Sequence, residues 1–283
     1  MNSPDRQDAP SVATTHNGTI MPTDLRCVVE TDESSGVLRL TGVLDAAGTA
    51  AVRDALLVRL CDRPGPVVVD LTRLRLTAPA RGLFAEVRRE IADWPAAGVL
   101  VVDPTGAAAG PELPVCATLA EATAALTRAP MAAATTTALP PVVGAARQAR
   151  ALVTDGCARW GIGALAEAGC IAVTEMVNNV VAHARTPMTL RLAPGDGTLH
   201  LGVRDRSRRQ PRYTGVTPPH LAGGRGLLLI DTVARRWGST LLPDGKLVWA
   251  VVHPEGGDTR PDPDVAHPDT GGARPDGGPD RHA

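Results

Sequence analysis

Residues 172–184 read Ala172-Val173-Thr174-Glu175-Met176-Val177-Asn178-Asn179-Val180-Val181-Ala182-His183-Ala184, and their spacing decides how the second half of the chain folds. Met176, Val177, Val180 and Val181 recur with the period of one helical face. Glu175, Asn179 and His183 stand four residues apart, so they line another side of the same helix. A helix divided in this way can lay its aliphatic stripe on a sheet and present a carboxylate and an amide elsewhere. Such oxygen donors suit a hard cation such as Mg²⁺. The carboxylate can also orient a water or accept a hydroxyl proton. Taken alone, the same row would serve equally as an ordinary solvated face.

The flanking sequence adds two elements. Leu201-Gly202-Val203-Arg204-Asp205 reads as a strand ending in an acid, which places a carboxylate at a sheet edge where it can accept a hydrogen bond from an adenine amino group. Gly223-Gly224-Arg225-Gly226-Leu227-Leu228-Leu229-Ile230 reads as a glycine loop opening an apolar helix over 226–237. Glycines let the backbone approach a polyphosphate, and free amides at a helix N-terminus favour anions. The rest of this half predicts helices over 141–160 and 162–183 and strands at 188–192, 199–204, 239–242 and 246–253. Helices grouped ahead of mostly antiparallel strands imply an α+β two-layer sandwich.

In this order, Glu175-x-x-x-Asn179, Val203-x-Asp205, Gly224-Arg225-Gly226-Leu227, Trp237-Gly238 and Gly245-Lys246-x-x-Trp249 resemble the GHKL ATPase superfamily, and within it the anti-sigma-factor serine/threonine kinases. The resemblance covers residues 141–253. It implies a Bergerat ATP site in which Glu175 is the general base, Asn179 coordinates Mg²⁺ and Asp205 reads adenine. Gly224, Arg225, Gly226 and Leu227 belong to the phosphate-binding loop and lid, with 212–222 as a mobile cover. Lys246 is expected to be structural or peripheral. Family members carry glycines soon after the aspartate, whereas this chain has Asp205-Arg206-Ser207-Arg208-Arg209, a change that predicts a less permissive turn and puts ATP affinity and turnover in question.

The first half alternates strand and helix patterns. Strands are expected at 26–30 and 36–42, a helix after Asp45 as N-cap with Val52, Leu56, Leu57 and Leu60 inward, and a buried strand at 66–71. A helix at 82–94, a strand at 98–103 and a helix at 119–128 follow, giving an α/β layer with parallel pairing. Gly36-Val37-Leu38-Arg39-Leu40-Thr41-Gly42-x-Leu44-Asp45 and Val67-Val68-Val69-Asp70-Leu71-Thr72 resemble a STAS domain, the fold of anti-sigma-factor antagonists, over 25–128. That family carries a phosphorylated serine at a helix N-terminus. The matching stretch here, Leu76-Thr77-Ala78-Pro79-Ala80-Arg81-Gly82, has no serine. The expectation is a degenerate scaffold that docks on the kinase-like half in cis or recruits another protein.

Composition bounds the rest. Of 283 residues, 43% are hydrophobic and only 2% aromatic, so core volume must come from Leu, Val, Ile and Ala. A net charge of −1 gives no support to a nucleic-acid partner. Five scattered cysteines without a C-x-x-C pair argue against a disulfide framework. No signal peptide and no uninterrupted apolar span stand out, which predicts a cytoplasmic protein away from membranes. The ends, 1–24 and 254–283, are polar or rich in Pro, Gly and Asp and predict disorder. Residues 129–140 read as a linker. The resemblances together imply a transcription regulator that binds Mg-ATP and phosphorylates Ser/Thr of an antagonist protein. Its partners would be a sigma factor, a STAS-type antagonist, or both, and it could form a homodimer. A non-catalytic ATP-binding module, or a GHKL ATPase without protein kinase activity, stays open beside it.

Overall fold

The structure is a computed structural model that describes residues 14–15, 18–19, 21–22, 27–32, 36–108, 110, 112–128, 134–210 and 225–254. The termini expected to be disordered therefore lie outside the described residues, apart from three two-residue strands near the N-terminus and Pro254.

The first half builds a six-stranded sheet. A two-residue strand at Met21–Pro22 precedes β1 (Cys27–Thr31), β2 (Val37–Leu44), β3 (Gly65–Leu76), β4 (Ala97–Val102) and β5 (Val115–Cys116), which neighbour one another in that order. β1 and β2 pair antiparallel, and β2, β3, β4 and β5 pair parallel. Helix α1 (Thr49–Asp62) links β2 to β3, and α2 (Leu83–Glu90) links β3 to β4. Val52, Leu56, Leu57 and Leu60 are fully buried, each contributing about 1.5–3 kcal/mol of transfer free energy. Strand β3 buries both faces. Val67, Val69 and Leu71 meet the core under α1 and α2, whereas Val68 meets Ala122 of α3 (Leu119–Arg128) on the opposite face. The helix after Asp45 starts later than expected, with Gly48 as its N-cap. The Asp45 carboxylate instead accepts from the N–H groups of Ala47 and Gly48, both at 3.2 Å, because an aspartate two residues before a turn competes for those amides.

The second half is an α+β sandwich. Its sheet runs β9 (Arg236–Leu242), β10 (Gly245–Val252), β8 (Leu199–Asp205), β7 (Met188–Pro194), β6 (Thr135–Leu139), antiparallel throughout. β6 corrects the linker expectation for 129–140, since Thr135–Leu139 pairs with Leu192–Met188. The run Thr135-Thr136-Thr137 is β-branched and suits an edge strand. Helices α4 (Ala145–Arg159), α5 (Ala166–Asn179) and α6 (Arg225–Val233) cover one face. α6 ends well before Trp237, which lies in β9, so the expected helix over 226–237 is shorter. Gly169 lets α5 sit tight on the sheet, since a Cβ there would come within 2.7 Å of Leu199 Cδ2. The helical run Gly163–Ala184 has the length and mean hydropathy of a membrane span. Its apolar stripe of Ala172, Val173, Met176, Val177 and Val180 is buried in the core it shares with β7, β8 and β10.

The other face of this sheet carries the first half. Alternation along β8 sends Leu199, Leu201 and Val203 toward the helices, and His200, Gly202 and Arg204 away from them. Leu242 and Leu247 join the core formed by α1 and α2. Arg191 donates to the carbonyls of Leu60 and Cys61 at 2.7 and 2.8 Å, capping the last turn of α1. Arg204, 5% exposed, bridges Asp62 of α1 and Asp244 of the β9–β10 turn. Arg236 pairs with Asp93 at 2.6 Å, and His200 Nδ1 contacts the Asp93 carbonyl at 3.0 Å. Docking in cis, expected as one option for the first half, is thus the arrangement in the structure.

Cys61 lies in this seam, and burial pushes its thiol up to about 12 from 9.0. A raised thiol pKa adds stability that is complete below pH 9 and is lost as the pH climbs toward 12. A plot of melting temperature against pH is expected to bend downward above pH 9, less steeply in Cys61→Ala. Arg191→Ala removes two charge-assisted bonds and leaves two helix carbonyls unpaired, a cost of about 2–4 kcal/mol. The same variant is expected to speed labelling of Cys61 by a thiol reagent at least tenfold. Unchanged labelling would show that the seam does not depend on this guanidinium.

Candidate functional site

Three strands and two helices meet at one end of the second sheet. Met188, Asp205 and Lys246 are direct cross-strand neighbours on β7, β8 and β10. Helix α5 returns to this end, because after Asn179 the chain makes a π-type turn over Val180–Ala184 and closes with Arg185 in the left-handed region, φ 56°. Residues 186–187 then lead into β7 at Met188, and Thr186 Oγ1 accepts the Arg206 N–H at 3.1 Å. α6 starts from the far side of the 211–224 stretch and packs on α5, burying Leu227 and Ile230 among Val173, Met176 and Val177.

The expected site residues distribute as follows. Glu175 is half-buried on α5, and desolvation raises its carboxyl above the ordinary carboxylate value. Asn179, also half-buried, is the last α5 residue before the π turn. His183 is exposed. Asp205 closes β8 and is 1% exposed. Arg225 and Gly226 open α6, whereas Gly224 and the cover at 212–222 lie outside the described residues. The Leu227 side chain is 4% exposed and belongs to the core, so a contribution to phosphate binding would come from its backbone. Among the described residues no three His, Cys, Asp or Glu side chains gather into a metal cage. A Mg²⁺ here would therefore take the Asn179 amide oxygen together with phosphate oxygens, which matches how this ion is usually held.

The segment after Asp205 closes without the glycines of the family pattern. Ser207 N–H donates to Asp205 Oδ1 at 2.7 Å, and Arg209 N–H donates to Ser207 Oγ at 3.3 Å. No residue of 206–210 takes a positive φ. Aspartate and serine side chains thus supply the turn that glycine would otherwise permit, and the less permissive turn expected there is met by side-chain hydrogen bonding.

Lys246, expected to be structural or peripheral, contacts Asp205 in the structure. Its Nζ stands 2.6 Å from Asp205 Oδ2 and donates to the Ser207 carbonyl at 3.2 Å. Its one sequence signal was position: β10 begins at Gly245, opposite the end of β8. Gly245 itself touches the site's frame, because a Cβ there would fall 2.0 Å from the Asp205 carbonyl oxygen.

Residues 139–252 match the model of the histidine kinase-like ATPase domain family. The match spans the second sheet from the end of β6 to the end of β10, so this half of the chain is similar to that family, whereas the first half is a mixed α/β sheet domain. No curated protein matches the chain. Among solved structures, the crystal structure of the RsbU and RsbW domains of Rv1364c from Mycobacterium tuberculosis is similar at 18% identity. That match covers 42% of this chain and 31% of the other, with a TM-score of 0.33, so the chain spans less than a third of that structure's length.

Proposed function

We propose that the protein is a cytoplasmic regulator of a sigma-factor partner-switching system, whose ATPase domain binds Mg-ATP and phosphorylates a serine or threonine of a STAS-type antagonist. The observation that carries the reading is the match of 139–252 to the histidine kinase-like ATPase family, on a domain in which Asp205 ends β8 and α5 carries Glu175 and Asn179. Glu175 would receive the hydroxyl proton of the substrate, and desolvation, which raises its carboxyl above the ordinary value, makes it the better proton acceptor. Mg²⁺, when bound, would neutralise phosphate charge. The first half would act as a STAS-like scaffold docked in cis, without the serine that a phosphorylation switch needs.

A second reading is favoured by a specific feature. Asp205 is already paired with Lys246, and a site closed in that way suits a non-catalytic module that works through protein contacts. Calorimetric titration of the full chain with ATP, with and without Mg²⁺, followed by γ-phosphoryl transfer to a panel of STAS antagonists, separates the two. Magnesium-dependent binding with transfer to a hydroxyl supports the kinase. Binding without transfer or hydrolysis selects the module, and hydrolysis without transfer selects an ATPase that drives its own conformational change.

A further inference from the structure

Asp205 is the carboxylate assigned to the amino group of adenine; Oδ1 is hydrogen-bonded from within the chain, whereas Oδ2 is buried without a hydrogen-bond partner and has an ion-pair contact with Lys246. Oδ1 accepts the Ser207 N–H at 2.7 Å. Oδ2 faces Lys246 Nζ at 2.6 Å, and that ammonium is tied down again by the Ser207 carbonyl at 3.2 Å. Asp205 is 1% exposed and Lys246 7%. Strand alternation puts both on the helix-covered side of the sheet: Leu199, Leu201 and Val203 precede Asp205 on that face of β8, and Val248, Ala250 and Val252 follow Lys246 on that face of β10. The two residues are direct register partners, so the sheet keeps their side chains within reach of each other.

We propose, resting on the nucleotide-site reading above, that Lys246 sets the base specificity and affinity of this site by occupying Asp205 in place of the base's amino group. An ammonium on a buried carboxylate is a stronger partner than a neutral amine N–H. A nucleotide therefore either displaces Lys246, which can swing out on its flexible four-carbon stem, or binds through its triphosphate and ribose without the contact at position 6. In both cases the chain discriminates weakly at that position. A neutral hydroxyl at 246 would leave the carboxylate free to accept from the base while still satisfying one of its oxygens.

The test compares ATP with purine riboside 5′-triphosphate, which lacks the 6-amino group, on the full chain, and then repeats the titrations on Lys246→Thr and Lys246→Met with melting curves to confirm folding. The wild-type protein is expected to bind the two nucleotides within about threefold of each other, and Lys246→Thr to bind ATP roughly 10- to 100-fold tighter while regaining a preference for it, the range of one hydrogen bond to a charged group. A wild-type preference for ATP of about tenfold or more overturns the proposal without needing any variant to fold. A folded Lys246→Thr that binds ATP no tighter than wild type also overturns it and leaves the nucleotide site standing. If neither the wild type nor the folded variants bind nucleotide, the nucleotide-site reading fails and this proposal fails with it.

Discussion

Glu175→Ala is expected to bind Mg-ATP within about threefold of wild type and to lose phosphoryl transfer by roughly 10²- to 10⁴-fold, the range that a positioned base supplies. Glu175 lies on α5 one turn before Asn179, with the aliphatic stripe of the same helix buried against the sheet. The helix is therefore held by the core beneath it, and removing the Glu175 side chain need not disturb the fold. Because desolvation raises its pKa, the sign of the pH effect is fixed. The base works only when ionised, so the transfer rate is expected to fall on the acid side, through a pKa shifted upward from the ordinary glutamate value. Glu175→Gln should abolish that limb as well as the rate. Transfer that persists in either variant, with its acid limb intact, would remove Glu175 from the chemistry and leave it as a polar residue on a half-covered helix face.

Gly245→Ala is expected to be the most damaging single-methyl change in the ATPase domain. The new Cβ would fall 2.0 Å from the Asp205 carbonyl oxygen, 2.9 Å from Arg206 Cα and 3.0 Å from the Asp205 carbonyl carbon. All three are backbone atoms, so no rotamer change relieves the clash and the β8–β10 ladder must part at that end. Overpacking usually costs 1–3 kcal/mol, and a rigid backbone obstacle places this case at or above about 3 kcal/mol. Chemical denaturation should show a lower midpoint with an unchanged slope, and ATP binding should weaken because Asp205 moves with its strand. A variant as stable as the wild type would mean that the strand end yields easily and that the close approach has no structural weight.

Much of this architecture is legible from side-chain period alone. The aliphatic stripe of α5, the apolar first half of β3, the short strand β4 and the terminal strand β10 follow from alternation and helical spacing, because each buries a whole face. The elements that escaped are those whose formation depends on partners. β6 is a polar Thr-rich strip that becomes a strand only because β7 offers it an edge. α6 stops early because Arg236 and Trp237 pair with Val251 and Ala250 on β10, and tertiary pairing overrides the helical pattern. At the site, the row of Glu175 and Asn179 could be read from spacing, as could the acid at the end of β8. The Lys246 contact could not, since it lies 41 positions beyond Asp205 and only the sheet register brings them opposite. Arg191 and Arg204 carried no local signal either. Two arginines on otherwise apolar strands make sense only once α1 is seen to end against them.

The seam between the two halves has a consequence for stoichiometry. Among the described residues, the second sheet is lined on one side by α4, α5 and α6 and on the other by α1 and α2, so a second copy of this chain would reach that sheet only at its rims, β6 and β9. A free protein of the same shape as the first half would have to compete with a tethered rival whose effective concentration is of millimolar order. Only a competitor with far better contacts, or a chain whose Arg191 and Arg204 clasps have been undone, would take its place.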